Sequence, residues 1–196
     1  MRQSPLSTLA LLQTAAVFRH QPPQEDPQGN VRALAIRDLV GSRPLRWHDL
    51  PRVKVPDKYL SQCLDQGDVL IPSRGDYYRA WLFEGADEPV FPVGQLNIVK
   101  PGSGLDARYL VWYLNQSPTQ AAIATLLTGT SIKSLTKAAL LTLEIKVPSE
   151  STQQLIAELD HTTKRIASIR HRLSEIDRDE IALVTRQLLR RGGVNA

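Results

Sequence analysis

The chain has 196 residues, of which 42% are hydrophobic and 22% charged, and its formal net charge is +4. These values are typical of a folded protein with one fair-sized domain and an appendage. The mild positive charge permits a nucleic-acid partner but does not require one. Because no run of about 18 apolar residues occurs, the sequence predicts no membrane span, and we expect a cytoplasmic protein.

The first sixty residues contain few clear elements. Residues 6–18 are apolar with polar breaks, which fits either a strand leading into a short helix or one helix. The polar run 20–30 contains three prolines and a glycine and predicts a loop. Residues 31–40 alternate as a strand would, with Val31, Ala33 and Ala35 on one face.

The middle of the chain is predicted to be rich in short strands. We expect strands at 69–71 and 79–83, with turns at 65–68 and 73–76. Two further strands follow within 88–100 and are separated by Gly94. This part of the chain therefore predicts a sheet with tight connections.

Helical spacing begins after residue 105. Its apolar residues share one helix face: Tyr109, Leu110, Tyr113 and Leu114. Pro118 can open a second short helix, for which Gly129 is the predicted C-cap. One helical turn and a strand ending at Val147 complete the region, so the fold class is predicted to be α+β.

A long amphipathic helix is predicted from Ser149 onward. Ser151 and Gln154 have the spacing of a capping box. Apolar residues then recur in steps of four and three, with Thr162 and Glu180 in the gaps. The resulting heptad seam consists of Leu155, Leu159, Ile166, Ile169, Leu173, Ile176 and Leu183.

The predicted helix is too long to be covered by the domain that precedes it. A helix of about 43 residues is roughly 64 Å long, whereas the preceding residues 1–148 predict a domain only about 30 Å across. Folding back on residues 6–18 is one alternative, but that segment is too short to cover the seam. We therefore predict a domain at 1–148, a helix at 149–196, and self-association through the seam.

No motif in the sequence predicts catalysis. The patterns GxGxxG, GxxxxGK[ST], GxSxG, HExxH and CxxC are all missing, and the four histidines are scattered. Cys63 is the only cysteine, which excludes an internal disulfide, and we interpret it as a half-buried packing residue. We expect a protein that is not an enzyme and holds neither a metal nor a cofactor.

Basic and polar residues on predicted loops are the remaining candidates for function. Residues 32–58 hold seven Lys or Arg against three acids. Hydroxyl, amine and guanidinium groups on loops suit contacts to phosphates and base edges. The candidate DNA contacts from this region and from the loops near 73–79 and 128–137 are Arg43, Arg46, Arg74, Tyr77, Tyr78, Arg79, Ser131 and Lys133.

Two stretches together resemble one protein family. The segment LDQGDVLIPSRG, residues 64–75, is similar to a strand and turn of the DNA-specificity (S) subunits of type I restriction-modification systems. Residues 95–160 are similar to the second half of the same family's unit, in which a strand, a helix and a turn are followed by a segment that runs into a long helix. The resemblance covers nearly the whole chain and is weakest over residues 1–60.

This resemblance implies a function that composition alone does not. It implies a target recognition domain that reads half of a split double-stranded DNA site, followed by a spacer helix that docks methyltransferase (M) subunits. A full S subunit has two recognition domains and two spacer helices, so the chain resembles half a subunit. The simplest way to form the complete unit is a homodimer with antiparallel helices. Such a non-catalytic protein would direct methyltransferase and restriction subunits to a bipartite site.

A second hypothesis also relies on the long helix but predicts that the protein does not bind DNA. A coiled-coil scaffold would use the same seam, while its globular domain would bind a protein. Loss of DNA binding at low salt would favour the scaffold.

Overall fold

The computed structural model describes residues 2–18, 23–40 and 45–192, with side chains as far as Leu189. The strands are β1 Arg2–Pro5, β2 Ala10–Thr14, β3 Val31–Leu34, β4 Arg52–Val53, β5 Val69–Pro72, β6 Trp81–Leu82, β7 Val90–Pro92, β8 Leu96–Pro101 and β9 Glu144–Val147. The α-helices are α1 Ile36–Val40, α2 Ala107–Leu114, α3 Ser117–Thr125, α4 Lys137–Leu141 and α5 Glu150–Gly192. The predicted α+β class is confirmed.

The described strands form three small sheets. The largest has the order β2-β8-β5-β6, with all neighbours antiparallel. A second sheet, β4-β3-β7, is mixed because β3 pairs with β7 in parallel. The third joins the two ends of the β-rich part, pairing β1 with β9 from Arg2↔Val147 to Pro5↔Glu144.

The hydrophobic cores lie on these sheets. Strand β5 is buried along its whole length, which explains why its residues form an unbroken apolar run. One cluster of buried side chains includes Leu34, Leu70, Phe83 and Ile98, and a second surrounds Phe91. Cys63 packs half-buried against this second cluster, and burial raises the pKa of its thiol, as a packing role predicts.

An ion-pair cluster around the buried Asp68 closes the turn before β5. Asp68 accepts a hydrogen bond from the backbone N–H of Asp65 at 2.9 Å. Lys100 on β8 reaches Asp68 at 2.7 Å and Asp65 at 2.9 Å. Burial by itself lowers the pKa of Lys100, but the two carboxylates outweigh it, so the pKa is raised and the ammonium stays charged.

Two predictions in the N-terminal part are wrong in detail. Residues 6–18 contain a short 3₁₀ helix at Leu6–Thr8 and then β2, so neither alternative for this segment is correct. The strand forms because β2 pairs with β8 over five residues, a long-range contact that periodicity does not reveal. The strand predicted for 31–40 ends at Leu34, because the Asp38 carboxylate accepts from the Ala35 N–H and favours helix α1.

Two helix boundaries also differ from the prediction. Helix α3 ends at Thr125, and Gly129 lies farther along, in a turn with φ +97°. Helix α5 begins at Glu150 with Ser149 as the preceding residue, whose Oγ accepts weakly from the Thr152 N–H at 3.4 Å. Ser151 and Gln154 therefore do not form the predicted capping box.

Helix α5 has 43 residues, the length that the heptad pattern predicts. Every described side chain from 161 to 189 is exposed. The chain divides into two compact units, residues 1–154 and 155–196. The predicted division between 148 and 149 according to function stays a prediction.

Among the described residues, no helix combines the length and the apolar character needed to cross a bilayer. Within the same residues, no group of three or more His, Cys, Asp or Glu side chains is placed to hold a metal ion.

Candidate nucleic-acid interface

Two loops from distant parts of the chain lie side by side. The first, residues 73–79, connects β5 to β6, and the second, residues 128–136, connects α3 to α4. The Leu135 N–H donates to the Ser73 carbonyl at 2.9 Å, and the Gly75 N–H donates to the Lys133 carbonyl at 3.1 Å. We call residues 73–79 and 128–137 together the two-loop surface.

The second loop is closed by its own backbone. Thr128 and Ser134 exchange hydrogen bonds at 3.0 and 2.8 Å. Gly129 has φ +97°, and a Cβ there would lie 2.5 Å from the Ile132 carbonyl oxygen, so only glycine fits this turn. The closed turn presents Ser131, Ile132 and Lys133 as exposed side chains.

Side chains at the junction of α2 and α3 hold the other flank of the first loop. The Asn115 side chain accepts from the Ala80 N–H at 2.8 Å and donates to the Ala80 carbonyl at 2.9 Å. Gln120 donates through Nε2 to the carbonyls of Tyr78 at 3.3 Å and Leu114 at 2.7 Å. The first loop is therefore fastened on both sides, which limits the conformational entropy that binding would cost.

The two-loop surface is strongly positive. It carries four exposed cations, Arg74, Arg79, Lys133 and Lys137, against one carboxylate, Asp76. No described carboxylate lies within ion-pair distance of any of these four cations. Their donors are therefore available for an anionic partner.

A cleft of about 280 Å³ opens between the first loop and helix α3. Its lining residues are Gly75, Asp76, Tyr77, Tyr78, Arg79, Gln120, Ile123, Ala124, Leu127 and Lys133. Tyr77 is 40% exposed, whereas Tyr78 is 7% exposed and its hydroxyl has no hydrogen-bond partner among the described residues. Burial, and then the charge of Asp76, raise the pKa of Tyr78, so this hydroxyl stays protonated at neutral pH.

The structure thus brings together most of the candidate contacts. Tyr77, Tyr78, Arg79 and Lys133 line one cleft. Arg74 lies in the same loop, and its backbone forms an isolated antiparallel β-bridge with Ser134 of the second loop. Ser131 is exposed on the second loop but does not line the cleft.

The two candidates from the other basic region do not join this surface. Arg43 lies outside the described residues. Arg46 is exposed and lines a different pocket, of about 320 Å³, whose other walls include Trp47, Asp87 and Glu88. The Trp47 ring stands edge-on to Phe83 with centroids 4.8 Å apart, so this tryptophan supports the core.

Two of the seven cations in residues 32–58 are bonded within the fold. Glu88 accepts from Arg32 at 3.0 and 3.1 Å and from Arg52 at 2.8 Å. Arg32 also donates to the carbonyls of His48 and Leu50 at 2.9 and 2.8 Å. The hydrogen bonds from Arg32 and then Arg52 lower the pKa of Glu88 to about 2. These two arginines are structural.

The side chains of the predicted heptad seam are about half exposed along its whole length. Its members are exposed by the following fractions: Leu155 58%, Leu159 60%, Ile166 44%, Ile169 53%, Leu173 55%, Ile176 53% and Leu183 56%. Seven half-exposed aliphatic side chains in one stripe are costly in water, at roughly 25 cal/mol for each Å² of apolar surface. This stripe is a candidate surface for a partner helix.

Three residues that shape these surfaces were missed by sequence reasoning. Asn115 and Gln120 act on a loop 35 to 42 positions away, and no local pattern marks such contacts. Gln153 is 1% exposed and bonds the Asp106 N–H and the carbonyls of Gly104 and Pro148 at 2.9 to 3.1 Å. A glutamine in the first turn of a charged helix gives no sign of such burial.

Comparison with known proteins identifies the fold. Neither a protein-family model nor a curated protein sequence matches the chain. Among solved structures, the type I restriction-modification S subunit from M. genitalium aligns with TM-score 0.55 and 16% identity, over 85% of this chain and 41% of that chain. The HsdS subunit from Thermoanaerobacter tengcongensis aligns with TM-score 0.60 and 19% identity, over 87% of this chain and 39% of that chain.

A third structure, which concerns complex assembly and conformational transition of the type I R-M system, aligns with TM-score 0.58 and 19% identity. It matches 89% of this chain and 41% of that chain. The chain therefore spans about two fifths of the length of these neighbours. The predicted resemblance is confirmed at the level of architecture: the chain has the fold of the specificity subunits of type I restriction-modification systems.

Proposed function

We propose that the chain recognises double-stranded DNA as a half-length specificity subunit of a type I-like restriction-modification system. It performs no catalysis and directs methyltransferase (M) and restriction subunits to a bipartite site. The observation that carries this proposal is the two-loop surface, whose four exposed cations have no carboxylate partner among the described residues. The fold neighbours support the same reading.

The chemistry of the two-loop surface suits DNA. Unpaired cations neutralise phosphates and release counterions, which supplies affinity that depends on salt. Arg74 and Arg79 can also contact guanine O6 and N7 from a loop in the major groove. Hydroxyls at Thr130 and Ser131 add neutral donors that fix the position of the protein on the DNA backbone.

The second part of the proposal is dimerisation through the long helix α5. Two copies would pack their α5 helices antiparallel and bury both seams, forming a coiled coil with a twofold axis. The midpoint between Leu155 and Leu183 is Ile169, so we expect the axis to pass near that residue. A helix of roughly 64 Å would then separate two recognition domains by at most roughly 19 base pairs at about 3.4 Å each.

The first experiment is light scattering of the purified protein, followed by DNA binding at two salt concentrations. We expect a dimer whose affinity for mixed-sequence DNA falls steeply with salt. Selection from random DNA should then yield an interrupted palindrome. A dimer without DNA affinity at low salt would replace this proposal with the coiled-coil scaffold, and a monomer at micromolar concentration would overturn the homodimer.

Seam variants separate dimerisation from general helix damage. The double change Ile169→Lys with Leu173→Lys places charges within the stripe and should dissociate the dimer. The matched control, Ala167→Lys with His171→Lys, adds the same two charges at exposed positions that each lie about 160° around the helix from Ile169, as follows from 100° per residue. We expect the control to remain dimeric.

Cysteine cross-linking tests the direction of the helices. In a Cys63→Ser background, a mixture of Leu155→Cys and Leu183→Cys chains should form a mixed disulfide dimer, because an antiparallel pair places these positions opposite each other. Leu155→Cys chains alone should remain uncross-linked. The reverse pattern would indicate parallel helices and would contradict a twofold arrangement with a domain at each end.

A further inference from the structure

The acidic residue in the two-loop surface is unexpected. Asp76 is exposed and makes no ion pair with a described cation, although Arg79 and Lys133 line the same cleft. A carboxylate on a surface that approaches DNA repels the phosphates and reduces the affinity for every sequence. Such a cost is compensated where the carboxylate accepts a hydrogen bond from a base.

The polar groups around Asp76 are also incompletely paired. Gln120 uses its Nε2 on two backbone carbonyls, and no described residue donates to its Oε1. The hydroxyl of Tyr78 is buried and has no partner among the described residues. Burial, and then the charge of Asp76, raise the pKa of this hydroxyl. Among the described residues, the cleft therefore contains two free acceptors, the Asp76 carboxylate and the Gln120 Oε1. It also contains the Tyr78 hydroxyl, which has no hydrogen-bond partner.

Free acceptors select a ligand that donates. In the major groove of DNA, the donors on base edges are the exocyclic amino groups of cytosine N4 and adenine N6. Adenine presents the acceptor N7 beside its amino group, and a carboxylate would be repelled there. Cytosine presents no acceptor beside N4 on its own edge, so an isolated carboxylate favours cytosine.

We propose that Asp76 reads one cytosine of the target site by accepting a hydrogen bond from its N4 amino group, with the base edge seated at the cleft between residues 75–79 and helix α3. This inference rests on the proposed DNA-recognition function and names one determinant of its specificity. Arg79 and Lys133, which line the same cleft, contact the flanking phosphates. Gln120 Oε1 is an alternative acceptor, because Gln120 lines that cleft too.

The test is selection from random DNA with four proteins: the wild type, Asp76→Ala, Asp76→Asn and the control Glu84→Ala. Glu84 is an exposed acid outside the cleft. We expect Asp76→Ala to lose the preference for cytosine at one position of each half-site and to bind the wild-type site about tenfold more weakly. The same variant should bind unrelated DNA more tightly, because it lacks a negative charge.

The asparagine variant sharpens the assignment. An amide both donates and accepts, and it pairs with adenine N6 and N7, so Asp76→Asn should shift the preference at that one position from cytosine toward adenine. Glu84→Ala should select the wild-type motif. Thermal melting of each variant establishes that every selection uses folded protein.

A base analogue tests the contact from the DNA side. Replacing the assigned cytosine with a pyrimidinone that lacks the amino group should weaken wild-type binding about as much as Asp76→Ala does. The two changes together should cost no more than either alone, as for two ends of one hydrogen bond. Additive losses would overturn the contact.

The outcomes distinguish failure of the Asp76–cytosine contact from failure of DNA recognition as a whole. If the wild type selects a motif and Asp76→Ala selects the same motif at every position, Asp76 is a solvated acid and only this inference fails. If the wild type selects no motif, DNA recognition itself fails, and the inference falls with it.

Discussion

The chain has two basic regions of similar composition, and they differ in what their cations bind. In residues 32–58, Arg32 and Arg52 enclose Glu88, and Arg32 also bonds two backbone carbonyls. In the two-loop surface, Arg74, Arg79, Lys133 and Lys137 are exposed and have no described carboxylate within ion-pair distance. In the first region, two arginines are bonded within the fold, whereas all four cations of the two-loop surface remain exposed.

This difference teaches how to separate structural from functional cations. An arginine whose N–H donors are already bonded can contact DNA only if it breaks those hydrogen bonds. Breaking them would leave backbone carbonyls without a donor. A cation in solvent makes little contribution to stability. Substitution of the bonded arginines Arg32 and Arg52 should therefore change stability, and substitutions in the two-loop surface should change binding.

The largest expected effect is on DNA affinity. Arg74→Ala combined with Lys133→Ala should weaken binding to all DNA about tenfold or more and reduce the salt slope by about 2, because two phosphate contacts are lost. The melting temperature should not change. The measurement is a salt titration of binding by fluorescence anisotropy.

The matched control for that pair is Lys54→Ala combined with Lys58→Ala, two exposed lysines from the first region. We expect this control to retain most of the affinity. Equal losses from both pairs would mean that binding follows net charge alone, and the distinction between the regions would fail.

The next effect is on stability. Arg32→Ala should lower the melting temperature by several degrees, because it removes one of the two arginine partners of Glu88 and leaves the carbonyls of His48 and Leu50 without their donor. Arg37→Ala is the control, since its side chain is 76% exposed and lies 3.8 Å from Asp38. The folded Arg32 variant should still bind DNA, and selective loss of binding without loss of stability would reverse our assignment of Arg32.

A smaller effect should appear in acid. The pKa of Glu88 is lowered from 4.5 to about 2 in the folded chain, so its contribution to stability is present above pH 4.5 and is lost as the pH falls toward 2. Melting curves of wild type and Glu88→Gln should therefore differ at pH 6 and converge near pH 2. A difference independent of pH would show that the carboxylate charge is not the cause.

The smallest effect concerns the unpaired hydroxyl in the cleft. Tyr78→Phe removes a buried polar atom that has no described partner, so the variant should be as stable as the wild type or more stable by about 1 kcal/mol. Chemical denaturation measures this change. A clear destabilisation would mean that the hydroxyl has a partner, such as an ordered water.

Short-range patterns in the sequence predicted much of the fold. The apolar run of β5, the apolar face of α2 and the heptad spacing of α5 all appear where they were expected, because each depends on neighbours within a few residues. The segments that differ are those set by distant partners. Strand β2 exists because of β8, and β3 is cut short by a carboxylate that bonds the backbone.

The candidate site was predicted in part for the same reason. Tyr77, Tyr78 and Arg79 are neighbours in sequence, and their loop was recognisable from its turn residues. Their approach to Lys133 depends on backbone bonds between β5 and the loop after α3. Asn115 and Gln120, which fasten the loop, were not identified because no local spacing distinguishes them.

By itself, the sequence determined that a long helix with an apolar stripe follows a β-rich domain, since helical periodicity and strand alternation are local properties. The tertiary structure alone decided which cations remain available. Glu88 lies 56 positions from Arg32 and 36 from Arg52, and only folding brings these charges together. Ion pairing depends on distance in space, so Arg32 and Arg52 became part of the fold where they meet Glu88, whereas the cations of the two-loop surface remain exposed.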